Sequence, residues 1–276
     1  MEMFNNPDSL KAYINRESKI HDMSSQRGYI YYFARQFLTN LFQSSDIFTI
    51  TGNTAQSTIL SGYVRPISDI DIISGESIDD IVDQFHETLK VENNGIAYSL
   101  VNRPTIGKNG VCNATIKGTF GKIEQPIGLD IKSEAPRKAI QGALPKLFSL
   151  DDDLEIQAVS HEAHLGRKLY VIARGLHMMS QGYRLSRFKD FYDVYKMSNI
   201  PYDFDTTREY YQELMAVNGI PDSVHGIMDD NFIVAVSRDY DKSMKSSEVK
   251  NYNIVDEVYR VRVLMTSFDK KNNKGK

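Results

Sequence analysis

The sequence predicts an α+β protein in which a mixed-sheet N-terminal domain, residues 1–150, precedes a helical C-terminal domain, residues 151–276. Three observations support this fold class. Strand and helix patterns alternate between residues 46 and 89, short β-type runs follow between 96 and 132, and helical periodicity dominates after about residue 150. A chain of 276 residues, 41% of them hydrophobic, is long enough to build the cores that two such domains need.

The first part of the chain carries alternating helix and strand signals. Apolar residues recur at the spacing of one helix face at Ile30, Phe33, Phe37 and Leu41. The run DIFTIT, residues 46–51, is rich in β-branched residues and ends at a glycine, which predicts a short strand. A second strand follows in SDIDII, and Ser77 with Asp80 forms a capping box before a helix over 78–89. The predicted order is therefore strand, helix, strand, helix.

Three β-type runs, IAYSLV, VCNATIKGTF and QPIGLDIK, then alternate with Asn-Gly turns and predict antiparallel strands that complete the same sheet. The stretch EAPRKAIQGALPKLFSLDDD contains two prolines and an acidic run, so we place the domain boundary there. Beyond it we predict helices at His161–Met179, Phe188–Met197, Thr206–Val217 and Ile254–Phe268, and a disordered basic tail, DKKNNKGK.

Composition excludes several classes of protein. The net charge of −3 does not indicate a nucleic-acid binder by itself, and the single cysteine, Cys112, excludes an intrachain disulfide and a cysteine-based zinc cluster. The N-terminal segment has charges where a signal peptide needs apolar residues, and no apolar run approaches the roughly 20 residues of a membrane span. We therefore expect a cytoplasmic protein without a membrane partner.

Two strands place acidic residues on one face. Asp69 and Asp71 lie two residues apart in SDIDII and point to the same side, opposite the isoleucines. In PIGLDIK the same alternation puts Asp130 opposite the apolar residues. If these strands are neighbours, three carboxylates converge, and a divalent cation would relieve their repulsion; oxygen ligands favour Mg²⁺ or Mn²⁺. The alternative is a pair of solvent-facing acids on an edge strand.

A glycine turn lies between the first strand and its helix in TGNTAQSTIL, residues 51–60. Glycine allows backbone N–H groups to approach a phosphate, and a helix N-terminus adds positive partial charge at the same point. Most such turns merely connect elements, but this one precedes the paired aspartates by one helix, which makes phosphate binding a more specific interpretation.

The run GNTAQSTILSGYVRPISDIDII resembles the opening motif of the AbiEii/AbiGii toxin branch of the DNA polymerase β-like nucleotidyltransferases: a Gly-Gly-Thr-Ala turn, an Arg, then Ser-x-Asp-Ile-Asp. HLGRKLYVIARG is similar to the Leu-Ala-Glu-Lys-Leu helix of that branch, and RFKDFYDVY to its Arg-Asp-x-x-Asp-x-Tyr block. The resemblance spans residues 45 to 200. The chain departs from the family pattern at Asn53, where Gly or Ser is usual, and at Lys189, where Arg is frequent.

The resemblance implies transfer of a nucleotide from an NTP to an acceptor, a reaction that needs positioning and charge neutralisation more than a protein nucleophile. It implies Asp69, Asp71 and Asp130 as metal ligands, with Asp130 also helping to deprotonate the acceptor hydroxyl. Lys168 would contact the phosphates, and Asp190 is carried over as an active-site residue. The residues expected to hold or orient the triphosphate are Gly52, Asn53, Thr54, Arg65 and Ser68.

Each assignment has a structural alternative. Lys168 lies in a helix with an apolar stripe and could be a solvated or salt-bridged lysine. Asp190 and Asp193 could pair with Arg187 and Lys189 near a helix start. The HEAH run does not have the four-residue histidine spacing of a zinc protease helix, so we exclude zinc there. The acidic run at 151–155 is expected to be a helix start or a linker surface.

The acceptor is less well defined. Between residues 167 and 196 seven basic residues are interleaved with aromatic ones, among them Tyr170, Tyr183, Phe188, Phe191 and Tyr192. This composition suits single-stranded RNA and equally suits a helical surface over a core. Because members of the resembled family act as toxins, some by adding nucleotides to the 3′ end of tRNA, we expect tRNA as the acceptor and a cognate antitoxin as a partner. The alternatives are a transferase that modifies a small molecule or a protein, and a non-catalytic relative that only binds.

Overall fold

The computed structural model describes residues 4–62, 67–101, 105–106, 111–135 and 138–270. It divides into two compact units, Met1–Val159 and Ser160–Lys276. No helix in these described ranges is both long enough and apolar enough to cross a membrane.

The first unit combines helices with one sheet. Its helices are α1 (Pro7–Ile20), α2 (Ser25–Ser44), α3 (Gly52–Ile59) and α4 (Ile78–Leu89). Its strands are β1 (Thr49–Thr51), β2 (Asp69–Ser74), β3 (Ala97–Leu100), β4 (Thr105–Ile106), β5 (Val111–Phe120), β6 (Ile123–Ser133), β7 (Ala139–Ala143) and β8 (Glu155–Val159). The predicted order β1, α3, β2, α4 is confirmed, and Ser77 caps α4 by accepting a hydrogen bond from the Asp80 backbone N–H at 3.2 Å.

The sheet is mixed, as predicted. Its strand order is β3-β5-β6-β2-β1-β8-β7, and β4 pairs with β5. The β2–β6 and β1–β8 pairs are parallel, and the other neighbours are antiparallel. Strand β6 forms a hairpin with β5 on one side and pairs in parallel with β2 on the other. Asp130, the acidic residue of QPIGLDIK, therefore lies in the middle of the sheet.

Period-two alternation separates the core face of this sheet from its polar face. Ile70, Ile72, Ile127, Leu129 and Ile131 are each at most 1% exposed. They join a hydrophobic core to which α2 contributes several aromatic and aliphatic side chains. Burying one such side chain contributes about 1.5–3 kcal/mol, so this face fixes the alternation, and the intervening residues of β2 and β6 must point the other way.

The boundary between the units lies at Val159 rather than at residue 150. Strand β8 pairs with β1 and β7, so residues 155–159 belong to the sheet although the sequence pattern predicted helix beyond residue 150. Likewise β7 lies inside the stretch that was expected to be a linker. Short strands with small residues, such as AIQGA, give too weak a periodic signal to be separated from a loop.

The acidic run at 151–155 is not purely a surface, and this expectation was wrong for Asp151. Asp151 is 6% exposed and accepts hydrogen bonds from the backbone N–H groups of Leu147 and Phe148 at 2.9 and 2.8 Å. Arg35 of α2, 1% exposed, lies 3.5 Å from its carboxylate and donates to the Asp152 carbonyl at 2.7 Å. Asp151 is therefore a buried anchor that ties the segment before β8 to α2, whereas Asp152, Asp153 and Glu155 are exposed.

The second unit is helical, as predicted. It contains α5 (His161–Ser180), α6 (Phe188–Met197), α7 (Phe204–Val217), a 3₁₀ helix (Asp222–Ile227), α8 (Asp230–Ser246) and α9 (Ile254–Lys270). Helix α7 begins two residues earlier than expected because Asp203 is its N-cap. Helix α8 was not predicted. Helix α9 extends into the tail that was expected to be disordered, of which residues 271–276 lie outside the described part of the chain.

Candidate active site

The paired strands β2 and β6 bring the three predicted aspartates to one face of the sheet. Asp71 and Asp130 are register partners in the parallel pair, and Asp69 is the partner of Gly128, two residues before Asp130. All three aspartates are partly buried, whereas the residues between them are buried in the core. The condition that the sequence left open, whether these strands are neighbours, is therefore met.

Gly52 lies directly against this face. Thr51, at the end of β1, is the register partner of Asp71, so α3 begins beside the carboxylate. A Cβ atom added to Gly52 would lie 1.9 Å from Asp71 Oδ2, and Gly52 has a φ of +64°. Only glycine satisfies both the left-handed backbone and the close approach. The turn thus places the first backbone groups of α3 beside the acidic face.

The two residues after Gly52 are more buried than a direct side-chain contact with phosphate would suggest. Asn53 is 3% exposed and Thr54 is 1% exposed. Within the described part of the chain, the Thr54 hydroxyl has no hydrogen-bond partner. A buried, unsatisfied hydroxyl costs about 1–3 kcal/mol, so Thr54 is the residue of this turn with the clearest capacity to bond an additional group.

The two remaining residues predicted around the first motif have different outcomes. Ser68 donates a hydrogen bond from Oγ to Asp69 Oδ1 at 2.6 Å, which fixes the orientation of that carboxylate. Arg65 lies outside the described residues, so its role stays a prediction.

Electrostatics at the acidic face favour a cation. Burial and the charge of Asp69 raise the pKa of Asp130, and Lys132 on the same strand partly opposes this rise. The donors are all carboxylate oxygens, which suit Mg²⁺ or Mn²⁺. As the side chains are placed, no group of three or more His, Cys, Asp or Glu residues in the described ranges is arranged to hold a metal ion. The oxygen donors and the repulsion between the carboxylates fit a divalent cation, whereas the side chains in the described ranges do not form a closed coordination shell.

In the second unit, Lys168 and Asp190 lie in one buried ionic cluster. Lys168 Nζ on α5 donates to Asp190 Oδ1 at 2.6 Å and to Asp193 Oδ2 at 2.8 Å, both on α6. The side chains of these three residues are 12%, 9% and 0% exposed, respectively. The salt-bridge alternative for Lys168 is therefore seen, with different partners for Asp190 than Arg187 or Lys189. A phosphate contact by Lys168 stays a prediction.

Asp193 is the member of this cluster to which sequence reasoning gave no active-site role. The available signal was its spacing from Asp190, because residues three apart share one helix face. His164, 2% exposed, lies near the same charges: burial lowers its pKa well below the usual range, and Lys168 lowers it further. His161 has a different environment, with Nε2 3.1 Å from the Met197 carbonyl oxygen.

The basic and aromatic stretch between residues 167 and 196 is mostly a surface over a core. Its aromatic residues Tyr170, Phe188, Phe191 and Tyr192 are each at most 8% exposed, whereas Tyr183 is 60% exposed. Arg184 is engaged by Asp239 at 2.6 Å. Four of these five rings are therefore unavailable for stacking with RNA bases, and Tyr195, the sixth aromatic residue of the stretch, is half-buried. This burial favours the structural interpretation of this stretch.

Comparison with known proteins agrees with this geometry. A family model described as nucleotidyl transferase AbiEii toxin, type IV TA system, matches residues 50–253. A proposed nucleotidyltransferase from H. pylori is 15% identical, with a TM-score of 0.53 over 92% of this chain and 99% of that chain. JHP933 from Helicobacter pylori is also 15% identical, with a TM-score of 0.52 over 91% and 95%. No curated protein matches the chain significantly.

The family model assigns this mixed sheet, with its paired carboxylates beside a glycine turn and its following helices, to the class of nucleotidyltransferases. Because the family model covers well over half of the 276 residues, the chain belongs to the AbiEii nucleotidyltransferase toxin family of type IV toxin–antitoxin systems. Membership implies an NTP substrate, a divalent metal in general terms, and a cognate antitoxin.

Proposed function

We propose that this nucleotidyltransferase moves NMP from an NTP to the 3′ end of tRNA, with Mg²⁺ or Mn²⁺ held by Asp69, Asp71 and Asp130. The observation that carries the proposal is the in-register pairing of Asp71 with Asp130 beside the Gly52 turn. We further propose that the toxin acts in the cytoplasm and serves in phage defence, together with its antitoxin.

The residues of the first unit can perform distinct parts of the reaction. The acceptor hydroxyl oxygen attacks the α-phosphorus, the bond to the β-phosphate bridging oxygen breaks, and pyrophosphate leaves. Asp130 is suited to accept the proton of the hydroxyl because its raised pKa makes it a stronger base than an ordinary aspartate. A bound divalent cation would neutralise the charge that develops on the transferred phosphoryl oxygens.

The turn between β1 and α3 would position the triphosphate. Backbone N–H groups in the first turn of α3 have no helical partner, and the helix dipole adds positive partial charge there. The unsatisfied Thr54 hydroxyl supplies a further donor in the same turn. Ser68 orients Asp69 through its 2.6 Å hydrogen bond, so that the carboxylate is held in one rotamer before substrate binds.

The experiment incubates the protein with each labelled NTP, Mg²⁺ and total RNA, and compares it with an Asp69→Asn/Asp71→Asn double variant. We expect label in a tRNA-sized band with the unchanged protein. In the double variant we expect labelling to fall by more than about 100-fold, because the carboxylates proposed to hold the metal are gone. Each tenfold loss of rate corresponds to about 1.36 kcal/mol. Asp79→Asn/Asp83→Asn removes the same charge from two exposed aspartates of α4 and serves as the matched control.

Two outcomes would contradict the proposal. Equal labelling by both double variants would show that the acidic face takes no part in the reaction. Consumption of NTP without labelled RNA would exclude the tRNA acceptor and point to a small molecule or a protein instead.

A further inference from the structure

The second unit has a surface groove that the catalytic proposal does not use. It is formed by Tyr195 of α6 and by Asp256, Tyr259, Arg260 and Val263 of α9, and its volume is about 350 Å³. Pockets that bind small ligands have volumes of about 300–1,000 Å³. This α6–α9 groove is therefore large enough for one nucleotide-sized group.

One strongly exposed aromatic ring, Tyr259, lines this groove. Tyr259 is 64% exposed and Val263 is 39% exposed, although both lie in a helix whose opposite face is fully buried. Tyr195 forms the other wall and is half-buried. By contrast, Tyr192, one turn earlier on α6, is 4% exposed. Unstacked bases bind to exposed tyrosine rings, so the groove offers what the buried aromatics of α6 do not.

Arg260 gives the groove a positive group. Its guanidinium donates to the Asn199 side-chain oxygen at 3.1 Å, which uses one of five donors. It also lies near Tyr202, where its charge opposes the rise in the pKa of Tyr202 that burial causes. No carboxylate in the described part of the chain forms an ion pair with Arg260, although Asp256, one turn earlier on α9, also lines the groove and carries a negative charge. The exposed Arg184, by contrast, is paired with Asp239.

We propose that the α6–α9 groove holds an unpaired nucleotide of single-stranded RNA, with its base stacked on Tyr259 and its phosphate bound by Arg260. The inference rests on the proposed RNA acceptor and adds a place where that RNA is held. An RNA ligand explains the combination of an exposed tyrosine ring with a guanidinium that has no ion-pair partner in the described part of the chain, whereas an apolar helix partner would use the ring alone.

The test measures binding without catalysis. A fluorescein-labelled 12-nucleotide single-stranded RNA is titrated with the full-length protein, without NTP, and followed by fluorescence anisotropy. Tyr259→Ala is expected to weaken binding about tenfold, because stacking contributes about 1–3 kcal/mol per base. Tyr183→Ala removes an equally exposed ring from the same unit and should leave the affinity unchanged.

Arg260→Gln gives a second, independent readout. If Arg260 neutralises one phosphate, the slope of log affinity against log salt should fall by about 0.7 in this variant and stay the same in Tyr259→Ala. Arg238→Gln, an exposed arginine of α8, is the charge-matched control. Duplex RNA of the same sequence should compete poorly, since its bases are not available for stacking.

The outcomes separate this inference from the catalytic proposal. RNA affinity that is absent, or unchanged in both Tyr259→Ala and Arg260→Gln, would overturn the inference and assign the groove to a protein partner, even if nucleotidyl transfer occurs. RNA binding that depends on both residues, without any transfer of NMP, would support the groove and contradict the reaction.

Discussion

Gly52 is the single residue whose replacement should disturb the acidic face most directly. Its Cβ position lies 1.9 Å from Asp71 Oδ2, and its φ of +64° is unfavourable for other residues. Gly52→Ala must displace either α3 or the Asp71 side chain. We expect a loss of transfer activity of about 100-fold or more, because displacing a catalytic group by about 1 Å can have an effect of that size.

The matched control for Gly52 is Gly128, a residue of β6 that lies on the same face of the sheet as Asp130. A Cβ atom at Gly128 would lie 3.8 Å from the Asp69 Cβ atom, an ordinary contact. Transfer assays and thermal melts of both alanine variants should therefore differ clearly. Equal activities in Gly52→Ala and Gly128→Ala would show that the approach of Gly52 to Asp71 has no catalytic importance.

Asp130 should be costly for stability and necessary for activity. Burial and Asp69 raise its pKa, so its contribution to stability is largest below its unfolded pKa and decreases as pH rises through the folded value. Asp130→Asn should therefore melt at a higher temperature than the unchanged protein at pH 8 without Mg²⁺, while losing transfer activity. Adding Mg²⁺ should raise the melting temperature of the unchanged protein more than that of the variant.

A lower melting temperature for Asp130→Asn at pH 8, or an equal Mg²⁺ effect in both proteins, would contradict this assignment. The exposed Asp79→Asn variant shows how a simple change in net charge affects the melt.

At the scale of elements, α5 and α6 are joined by the cluster of Lys168, Asp190 and Asp193. Lys168→Met removes the cation from two buried carboxylates, and breaking a buried pair in this way typically costs 3–5 kcal/mol, so we expect a loss of about that size. Denaturant unfolding would measure it. Lys168→Met/Asp190→Asn/Asp193→Asn should recover much of the stability, because the charges then no longer need a partner.

This triple variant separates a structural role of the cluster from a role in the reaction. Recovered stability without recovered transfer would support participation of the cluster in transfer, whereas recovery of both would make the cluster purely structural.

Helix α9 carries a carboxyl group that should make stability depend on pH. Glu257 is 1% exposed, and burial raises its pKa to about 7, with a smaller opposing effect of the Asn253 backbone N–H, which donates at 2.7 Å. The fold favours the protonated acid, so this contribution is complete below about pH 4.5 and is lost as pH rises to about 7. Lys196 and Asp193 of α6 act on it with opposite signs.

Glu257→Gln should remove this pH dependence of stability, because glutamine does not titrate. Each unit by which the fold raises the pKa corresponds to about 1.36 kcal/mol. Denaturant melts at pH 5 and pH 8 should show the variant gaining stability relative to the unchanged protein only at the higher pH. Glu209→Gln, an exposed glutamate of α7, is the control, and parallel pH profiles for all three proteins would contradict the prediction.

At the scale of the whole molecule, the boundary between the units determines which fragment can fold. A fragment of residues 1–159 keeps β8, whose Ile156 and Ala158 are fully buried, whereas a fragment of residues 1–150 exposes the edge of β1 and leaves β7 without its partner. We expect a cooperative thermal melt for the longer fragment and none for the shorter. Circular dichroism measures both, and equal melts would place the boundary at residue 150.

Sequence reasoning reached the parts of the molecule that depend on local periodicity. Alternation in β2 and β6 was sufficient to assign Asp69, Asp71 and Asp130 to the polar face, because the buried isoleucines determine which way the intervening residues point. It was not sufficient for contacts between distant segments. The pairing of Arg35 with Asp151 joins residues over 100 positions apart, and no local pattern signals it.

Other elements were missed for different reasons. Helix α8 has buried residues at a constant spacing of four, from Phe232 to Met244, with Asp229 as N-cap, and these signals were available in the sequence. The exposure of Tyr259 and the burial of Tyr192 were not available, because both tyrosines lie in amphipathic helices and only packing decides which face is covered.

The alignment of β2 with β6 links the chemistry of this toxin to the accuracy of its folding. Sliding β6 by one position would turn Asp130 into the layer filled by aliphatic side chains and would expose Leu129 to water. A lone carboxylate in that layer is strongly unfavourable, so the misaligned strand pairing has a high free energy and is not populated. The acids that we propose as metal ligands therefore also restrict strand pairing, and a one-residue deletion in this strand should impair folding as well as transfer.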